Sequence, residues 1–540
     1  MARTTRICSL ALLLAGFGPV EALAGRGNPS ALGLYARARV AGGSETVHLY
    51  NDALTAAPDQ KTVALHAYRQ AIISGDYRLA LRAAQSLERL DFVPADGRLV
   101  LYIAALRDRD WQAARARLDM ISRSTEFAFM VPILADWLTL AGVAADPIAA
   151  APGAANRALT ANDAYVQENH ALLMLARGDV DGGSTLVQTL WRHDPYRSQS
   201  LRLTAAATLA KRRQRDAANR LLIADDRSTV IARGLIAQKH KLDIATEIPA
   251  SGTAFLLSRM AGDLITQGSG RAAVTLARLA EFADPQNPRI ALIAAGALAL
   301  GKDKRAALAL ADRVAGDPVY GNDATSLRID LLEAMGEVDQ AVAEARERAR
   351  GSINDLARVG DIEARRGNFK QAANIFQQVL AASKEPKARG TLMFAIGNAL
   401  DRAGDWTAAR PYLEQALTLM PGEPALLNEL GYGLVVHGED AERALGFLSA
   451  AAQIKPDSAA IMDSLGWANY RLGYNDLAIV GLERAVTLDN AEPEIGEHLG
   501  DAYWHDGRRI DARYSWAAAR LQADGDMAAR LDQKIARGLP

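Results

Sequence analysis

The 540-residue chain has very little cysteine, few aromatic residues and almost no net charge. Its single cysteine, Cys8, excludes an intramolecular disulfide and any zinc site built on paired cysteines. The net charge of −1 excludes a global positive field of the kind that attracts nucleic acid. Aromatic residues make up 6% of the chain and hydrophobic residues 49%, so alanine and leucine supply most of the apolar share. This composition favours closely packed helices over a sheet protein.

Long hydrophobic runs are also missing, which excludes a membrane-spanning helix. The runs 7–17 and 290–300 each have 11 residues, whereas a transmembrane helix needs about 20. The first run is typical of a secretory signal, because Arg3 and Arg6 precede it and Ala22-Leu23-Ala24 follows it. We expect export to the periplasm with cleavage after Ala24; a fortuitously apolar start to a cytosolic protein is the alternative.

The position of Cys8 bears on membrane anchoring. A lipid-attached cysteine would follow the apolar run, whereas Cys8 lies at its start. The sequence therefore predicts a soluble exported protein, with association with the outer membrane as the alternative.

Motifs for catalysis are absent as well. Ser464 is not in a nucleophile elbow, because Met462 stands where that motif needs glycine. The segment 268–271 (Gly-Ser-Gly-Arg) is not followed by the Gly-Lys-Ser/Thr of a phosphate-binding loop. We predict that the chain is not an enzyme; an enzyme with an unrecognised site in the N-terminal half is the alternative.

Three histidines could suggest a metal site, namely His437, His498 and His505. No Asp or Glu completes a recognisable set of ligands around them in the sequence, so we interpret them as scattered surface histidines. We predict no metal and no cofactor.

What the chain does contain is one helical pattern that occurs three times in residues 425–521. A Leu-Gly pair opens each unit, at Leu430-Gly431, Leu465-Gly466 and Leu499-Gly500, and an alanine step follows it. Successive pairs are 35 and 34 residues apart. This period and residue order resemble the tetratricopeptide repeat. The resemblance implies antiparallel helix pairs whose stacked neighbours share one core.

Turn markers continue this period upstream. They lie at Gly75, Arg109, Gly142, Gly178, Arg213, Gly268, Gly301, Gly336, Gly367, Gly404, Gly438, Gly473 and Gly507. They predict an all-α superhelical solenoid of about 13–14 such units. The step from Arg213 to Gly268 is 55 residues and contains Lys239-His240-Lys241, so we expect an odd helix or loop there.

The predicted organisation has four parts. A signal peptide covers 1–24, a divergent array 25–250, a regular array 251–522 and a capping helix 523–540. The cap begins at Asp524 or Asp526 and has apolar residues at helical spacing.

The densest basic run is Lys211-Arg212-Arg213-Gln214-Arg215. It falls at a predicted helix C-terminus, where the helix dipole favours positive charge. A solvated turn is our interpretation, and contact with an anionic surface is the alternative.

The family resemblance also implies a partner site. In tetratricopeptide proteins the first helices line a concave groove in which peptides usually bind. The groove positions here are Asn398, Arg402, Asn428, Tyr432, Asp463, Trp467, Tyr470, Arg471, Asp501, Trp504 and His505, with Phe394, Asp401, Val435, Val436 and Glu497 on the same faces. Trp, Tyr and Arg dominate binding hot spots; packing of these aromatics between helices is the alternative. The basic clamp for a C-terminal carboxylate is not reproduced, since Phe394, Ala460 and Ser464 occupy its basic places.

The last third is similar to bacterial exported tetratricopeptide proteins of the outer-membrane and periplasmic kind, through the segments 463–468 and 498–504. Some of those relatives are adaptors that hand cell-wall hydrolases to a protease. The resemblance implies a non-catalytic periplasmic scaffold or adaptor that binds protein or peptide partners in the cell envelope. An assembly component for envelope polysaccharide synthesis or export is the alternative, and peripheral membrane association is compatible with both.

Overall fold

A computed structural model describes residues 30–124, 126–143, 161–193, 195–223, 226–301, 303–350 and 353–539. These residues form 29 α-helices and contain no β-strand, which confirms the all-α prediction. None of the described helices is long and apolar enough to cross a bilayer. The signal peptide predicted at 1–24 lies outside the described residues.

The helices divide into two sets, because the contacts separate two compact units, Met1–Glu337 and Val338–Pro540. The N-terminal unit contains α1 (Ala31–Val40), α2 (Gly43–Ala56), α3 (Lys61–Ser74), α4 (Tyr77–Arg89), α5 (Ala95–Arg107), α6 (Trp111–Ile121), α7 (Val131–Leu138), α8 (Ala161–Arg177), α9 (Val180–His193), α10 (Pro195–Lys211), α11 (Arg215–Leu221), α12 (Arg227–Ala237), α13 (Pro249–Thr266), α14 (Gly270–Ala283), α15 (Pro288–Leu300), α16 (Lys304–Val314) and α17 (Gly321–Ala334). The C-terminal unit contains α18 (Val338–Ala349), α19 (Ile353–Arg365), α20 (Phe369–Ala382), α21 (Pro386–Arg402), α22 (Trp406–Leu419), α23 (Pro424–Val436), α24 (Ala441–Ile454), α25 (Ala459–Arg471), α26 (Asn475–Leu488), α27 (Pro493–His505), α28 (Arg509–Arg520) and α29 (Gly525–Arg537).

The predicted turn residues share one backbone conformation. Twelve of the thirteen have positive φ, including the two arginines, Arg109 (56°) and Arg213 (66°); Gly301 is the exception at −74°. The left-handed conformation of these residues ends the first helix of the pair. At Gly75, for example, the amide of Asp76 bonds to the carbonyl of Ala71 across the left-handed residue. The chain can then reverse within a few residues.

The long step in the series contains one additional turn. Lys239 has φ 65° and ends α12, and the amide of His240 bonds back to the carbonyl of Leu235. No helix follows until Pro249 begins α13. The helix α12 therefore lacks the second member of its pair.

The N-terminal unit packs helices that are far apart in sequence. Gly252 of α13 lies so close to the Trp137 ring that an added Cβ would overlap it. Arg259 of α13 forms a buried bidentate pair with Glu168 of α8, at 2.9 and 3.1 Å. Repeats in this unit therefore contact more than their chain neighbours, contrary to the simple solenoid picture.

A second long-range contact joins α14 to the start of the unit. The Arg107 guanidinium donates to the carbonyl of Phe282 at 2.6 Å, and Arg278 donates to the carbonyl of Ile73 at 3.3 Å. The rings of Phe282 and Tyr77 lie 5.4 Å apart. These contacts bridge up to 205 residues of sequence.

The C-terminal unit stacks its pairs in chain order. The glycine of each Leu-Gly pair faces a large side chain of the second helix, so that an added Cβ at Gly431, Gly466 or Gly500 would crowd Leu448, Leu482 or Trp516. The last pair is covered by α29, whose Leu531 is fully buried.

Candidate functional site

The predicted groove residues all lie on four first helices, α21, α23, α25 and α27. Their exposure differs widely. Arg402, Arg471 and His505 are exposed, Asn398, Asn428, Tyr432, Trp467, Tyr470 and Trp504 are half-buried, and Asp463 and Asp501 are buried.

The centre of this face is an aromatic stack on α25. The Trp467 ring lies between Tyr470, with centroids 4.8 Å apart, and His498, with centroids 3.9 Å apart. Tyr470 in turn meets the edge of His505 at 5.3 Å. We name Tyr432, Trp467, Tyr470, Arg471 and His505 the aromatic groove.

A buried carboxylate–imidazole pair, Asp463 and His498, packs against the Trp467 ring. The Nδ1 atom of His498 lies 2.9 and 3.0 Å from the two carboxylate oxygens of Asp463. His498 is only 7% exposed, so its interpretation as a surface histidine was wrong. The two residues are 35 positions apart, one repeat length, and this spacing is the signal that could have revealed the pair.

The surroundings of the groove are acidic. Burial, followed by the charges of Glu494, Asp463 and Asp401, raises the pKa of Tyr432 to about 12, although Arg471 opposes the shift. Arg471 forms no salt bridge within the described part of the chain. A positive group that entered here would therefore meet several carboxylates.

Glu429 is a second acidic residue that the sequence analysis missed. Burial and the neighbouring Asp401 raise its pKa to about 7, while a hydrogen bond from Asn398 and the charge of Arg402 lower it. The Asn398 amide donates to Glu429 at 2.9 Å. Asn398 thus positions a half-buried acid and is itself only half accessible.

The remaining predicted groove residues at this end are Arg402 and Asn428. The Arg402 guanidinium lies 4.4 Å from the centre of the Phe369 ring. Asn428 has a buried Oδ1 atom with no hydrogen-bond partner among the described residues. They extend the face but add no further aromatic surface.

At the other end, α29 covers two predicted groove residues. Lys534 lies 2.7 Å from the Asp501 carboxylate, and the Trp516 indole donates to that carboxylate at 2.9 Å. Trp504 packs under Gly538 and between Arg509 and Arg513, each 5.1 Å from its ring. Asp501 and Trp504 are therefore packing residues of the cap in this structure.

The acidic partner of the cap is Glu497. Burial raises its pKa, but hydrogen bonds from Arg530 and Lys534 outweigh this effect and lower the pKa to about 2. Arg530 makes two bonds of 2.8 Å to it. Within the described residues, no three His, Cys, Asp or Glu side chains gather in a way that could hold a metal ion.

Comparison with known proteins identifies the repeats. Residues 352–421 and 394–459 match two models described as tetratricopeptide repeat. The chain is 29% identical over 186 residues to "TPR repeat-containing protein PA4667" of Pseudomonas aeruginosa, which is 34% of this chain and 31% of that protein. The match thus spans less than a third of the relative's length.

Two solved structures are similar in part. TTC0263, a thermophilic TPR protein of Thermus thermophilus, is 23% identical and aligns over 34% of this chain and 100% of its own, with a TM-score of 0.30. The APC/C hetero-tetramer Cut9–Hcn1 is 14% identical and aligns over 89% and 96%, with a TM-score of 0.38. With the helix pairs described above, these matches identify tetratricopeptide repeats in residues 352–459 of the chain.

Proposed function

We propose that this protein is a non-catalytic scaffold of the bacterial periplasm whose aromatic groove holds a peptide segment of a cell-envelope partner. Tetratricopeptide repeats suggest a protein-interaction scaffold in general. The observation that carries the specific proposal is the stack of Trp467 on Tyr470, half accessible and beside the exposed Arg471. Trp, Tyr and Arg are the residues that most often anchor interfaces.

The groove suits a peptide with basic side chains. Glu494, Asp463 and Asp401 supply negative charge near the Tyr432 ring. A Lys or Arg side chain gains from the face of Trp or Tyr by cation–π attraction as well as from the carboxylates. Arg471, which has no ion pair within the described residues, is available for a peptide carbonyl or carboxylate.

The stack is held in place before a partner arrives. His498 is bonded to Asp463 and lies 3.9 Å from Trp467, so the indole cannot rotate freely. A side chain that is already ordered loses less conformational entropy on binding. Preorganisation of this kind supports a binding role for Trp467 over a purely structural one.

Photo-crosslinking tests the groove directly. We replace Tyr470 with benzoylphenylalanine in the full chain, irradiate it in envelope extract and identify the captured peptides by mass spectrometry. Tyr514, which is 74% exposed on a second helix, is the matched control position. Capture of the same peptides from both positions would contradict a site in the groove.

The identity of the captured partner tests the adaptor role. A cell-wall hydrolase or a processing protease agrees with the proposal, whereas proteins of glycan synthesis would contradict it. Export is tested separately, because the mature protein should begin at Gly25 by N-terminal sequencing. Intact Met1 on protein recovered from the cytosol would overturn the periplasmic assignment.

A further inference from the structure

A cavity in the N-terminal unit brings together the two basic segments of the irregular region. Its volume is about 450 Å³, within the range of small-molecule sites. Arg213 lines it from the turn between α10 and α11, and Arg215 lines it from the start of α11. Lys239, His240 and Lys241 line it from the turn after α12. The basic run that we interpreted as a solvated turn thus forms one side of a cavity.

Two of the lining residues have an unusual backbone. Arg213 and Lys239 have φ of 66° and 65°, a region that is strained for side chains other than glycine. Ten of the predicted turns have glycine in this conformation. Arg213 and Lys239 therefore stand where glycine would be less strained, and both supply a positive charge to the same cavity.

The cavity has more positive than negative charge. Lys211, Arg213, Arg215, Lys239 and Lys241 face Asp243, Glu247 and Asp284, which leaves a surplus of two positive charges. Glu247 is paired with Lys211 at 2.9 Å. Arg213, Arg215, Lys239 and Lys241 form no salt bridge within the described residues.

The Asp284 carboxylate also interacts with neighbouring protein groups. Burial raises the pKa of Asp284, while a hydrogen bond from Asn287 and the charge of Lys211 lower it. Asn287 donates to Asp284 at 3.1 Å. Glu247 and Asp284 are therefore engaged with protein groups, and the four cations that lack a salt bridge among the described residues are available to a ligand.

We propose that this cavity binds a small molecule that carries a dianionic phosphate group. A phosphate monoester carries a charge near −2 at neutral pH on one compact group. This charge balances the surplus of two positive charges in the cavity. Arg213 and Arg215 offer planar guanidinium groups that can donate two parallel hydrogen bonds, and Lys239 and Lys241 add point charges. The site lies in the N-terminal unit and is independent of the aromatic groove.

Isothermal titration of the full chain with inorganic phosphate, pyrophosphate and malonate tests the proposal, at constant ionic strength set with sodium chloride. We expect saturable binding of a phosphate probe and weaker binding of malonate. Stronger binding of malonate than of either phosphate would contradict the phosphate class.

The left-handed turns supply a variant that removes charge without damage to the fold. Arg213→Gly with Lys239→Gly places glycine where glycine is favoured, so the melting temperature should not fall. We expect at least a tenfold loss of affinity for the phosphate probe. Arg109→Gly is the control, because Arg109 has φ 56° in an equivalent turn and does not line the cavity.

Two outcomes would overturn the site. One is wild-type protein that binds neither phosphate nor pyrophosphate at millimolar concentration. The other is a double variant that is folded and binds as tightly as Arg109→Gly.

Discussion

The two units of this protein are built from the same helical pair but close their cores in different ways. In the C-terminal unit the pairs stack in chain order, and α29 covers the last one. In the N-terminal unit α13 and α14 also pack on helices that come much earlier, and Arg107 and Phe282 are in contact across 175 residues. The repeat period therefore determines the pair but not how an array is closed. Long-range contacts should make the N-terminal unit unfold more cooperatively.

The largest expected effect follows from removal of a core tryptophan in each unit. Trp137→Ala should destabilise the N-terminal unit by about 3–5 kcal/mol, because the ring is fully buried against Gly252. Hydrogen exchange should show α7, α8 and α13 losing protection together. Trp516→Ala is the control in the C-terminal unit, and its effect should be confined to α27–α29. A local effect of Trp137→Ala, limited to α7, would contradict the difference between the units.

A buried ion pair tests the closure of the N-terminal unit. Arg259→Met removes the bidentate contact of Arg259 with the buried Glu168, at a cost of about 3 kcal/mol. The double variant with Glu168→Leu should recover most of this loss in urea unfolding. Arg508→Met removes exposed contacts with Asp511, Glu483 and the Tyr503 ring in the C-terminal unit and should have a much smaller effect. Equal effects of the two single variants would contradict the role of the buried pair.

The pH dependence of stability tests the acidic side of the groove. The folded pKa of Glu429, about 7, is above its unfolded value. The folded protein therefore binds more protons between about pH 4.5 and 7, and its stability falls as pH rises through that window. Glu429→Gln should add about 3 kcal/mol at pH 8 and nothing below about pH 4.5.

Glu414→Gln is the matched control for that experiment. Burial raises the pKa of Glu414, but hydrogen bonds from Arg410 and Arg443 outweigh it and lower the pKa. Its replacement should therefore destabilise the protein at pH 8. Thermal melts at pH 4.5 and pH 8 show whether each substitution stabilises or destabilises the protein. If both substitutions changed the stability in the same direction at pH 8, the raised pKa of Glu429 would be contradicted.

The smallest effects concern the turns of the N-terminal unit. Arg109→Gly should stabilise by about 0.5 kcal/mol, because relief of the left-handed strain exceeds the entropy that glycine loses. Gly336→Ala should cost about 1 kcal/mol, since its φ is 81° although an added Cβ meets nothing. Destabilisation by Arg109→Gly would show that the arginine side chain stabilises its turn.

The turns were predictable from the sequence because their requirement is local. A helix pair of fixed length usually reverses through a left-handed residue, so Arg109 and Arg213 could be placed by the period together with the helical segments that follow them. Lys239 was missed because it is not glycine and no second helix follows it. The contact of Gly252 with Trp137 had no sequence signal, since it joins positions that no repeat period relates.

The candidate site was predictable in part for the same reason. First-helix positions recur, so Trp467, Tyr470 and Arg471 were placed on one surface from their offsets to Gly466. Trp504 lies four residues after Gly500, which is the position of Tyr470 relative to Gly466. However, α29 and Gly538 lie against Trp504. The capping helix at 523–540 was predicted from its own spacing, but the repeat pattern does not indicate which side chains of the last unit it covers.

The most direct test of the groove is a pair of measurements on Trp467→Ala and Trp504→Ala, with the peptide captured at Tyr470 as the ligand. Affinity and melting temperature are measured on the same samples. Trp467→Ala should weaken binding by about 2 kcal/mol, roughly 30-fold, whereas Trp504→Ala should mainly lower the melting temperature. Unchanged affinity of Trp467→Ala, with a sharply lowered melting temperature, would show that the aromatic groove is packing and contradict its role as the partner site.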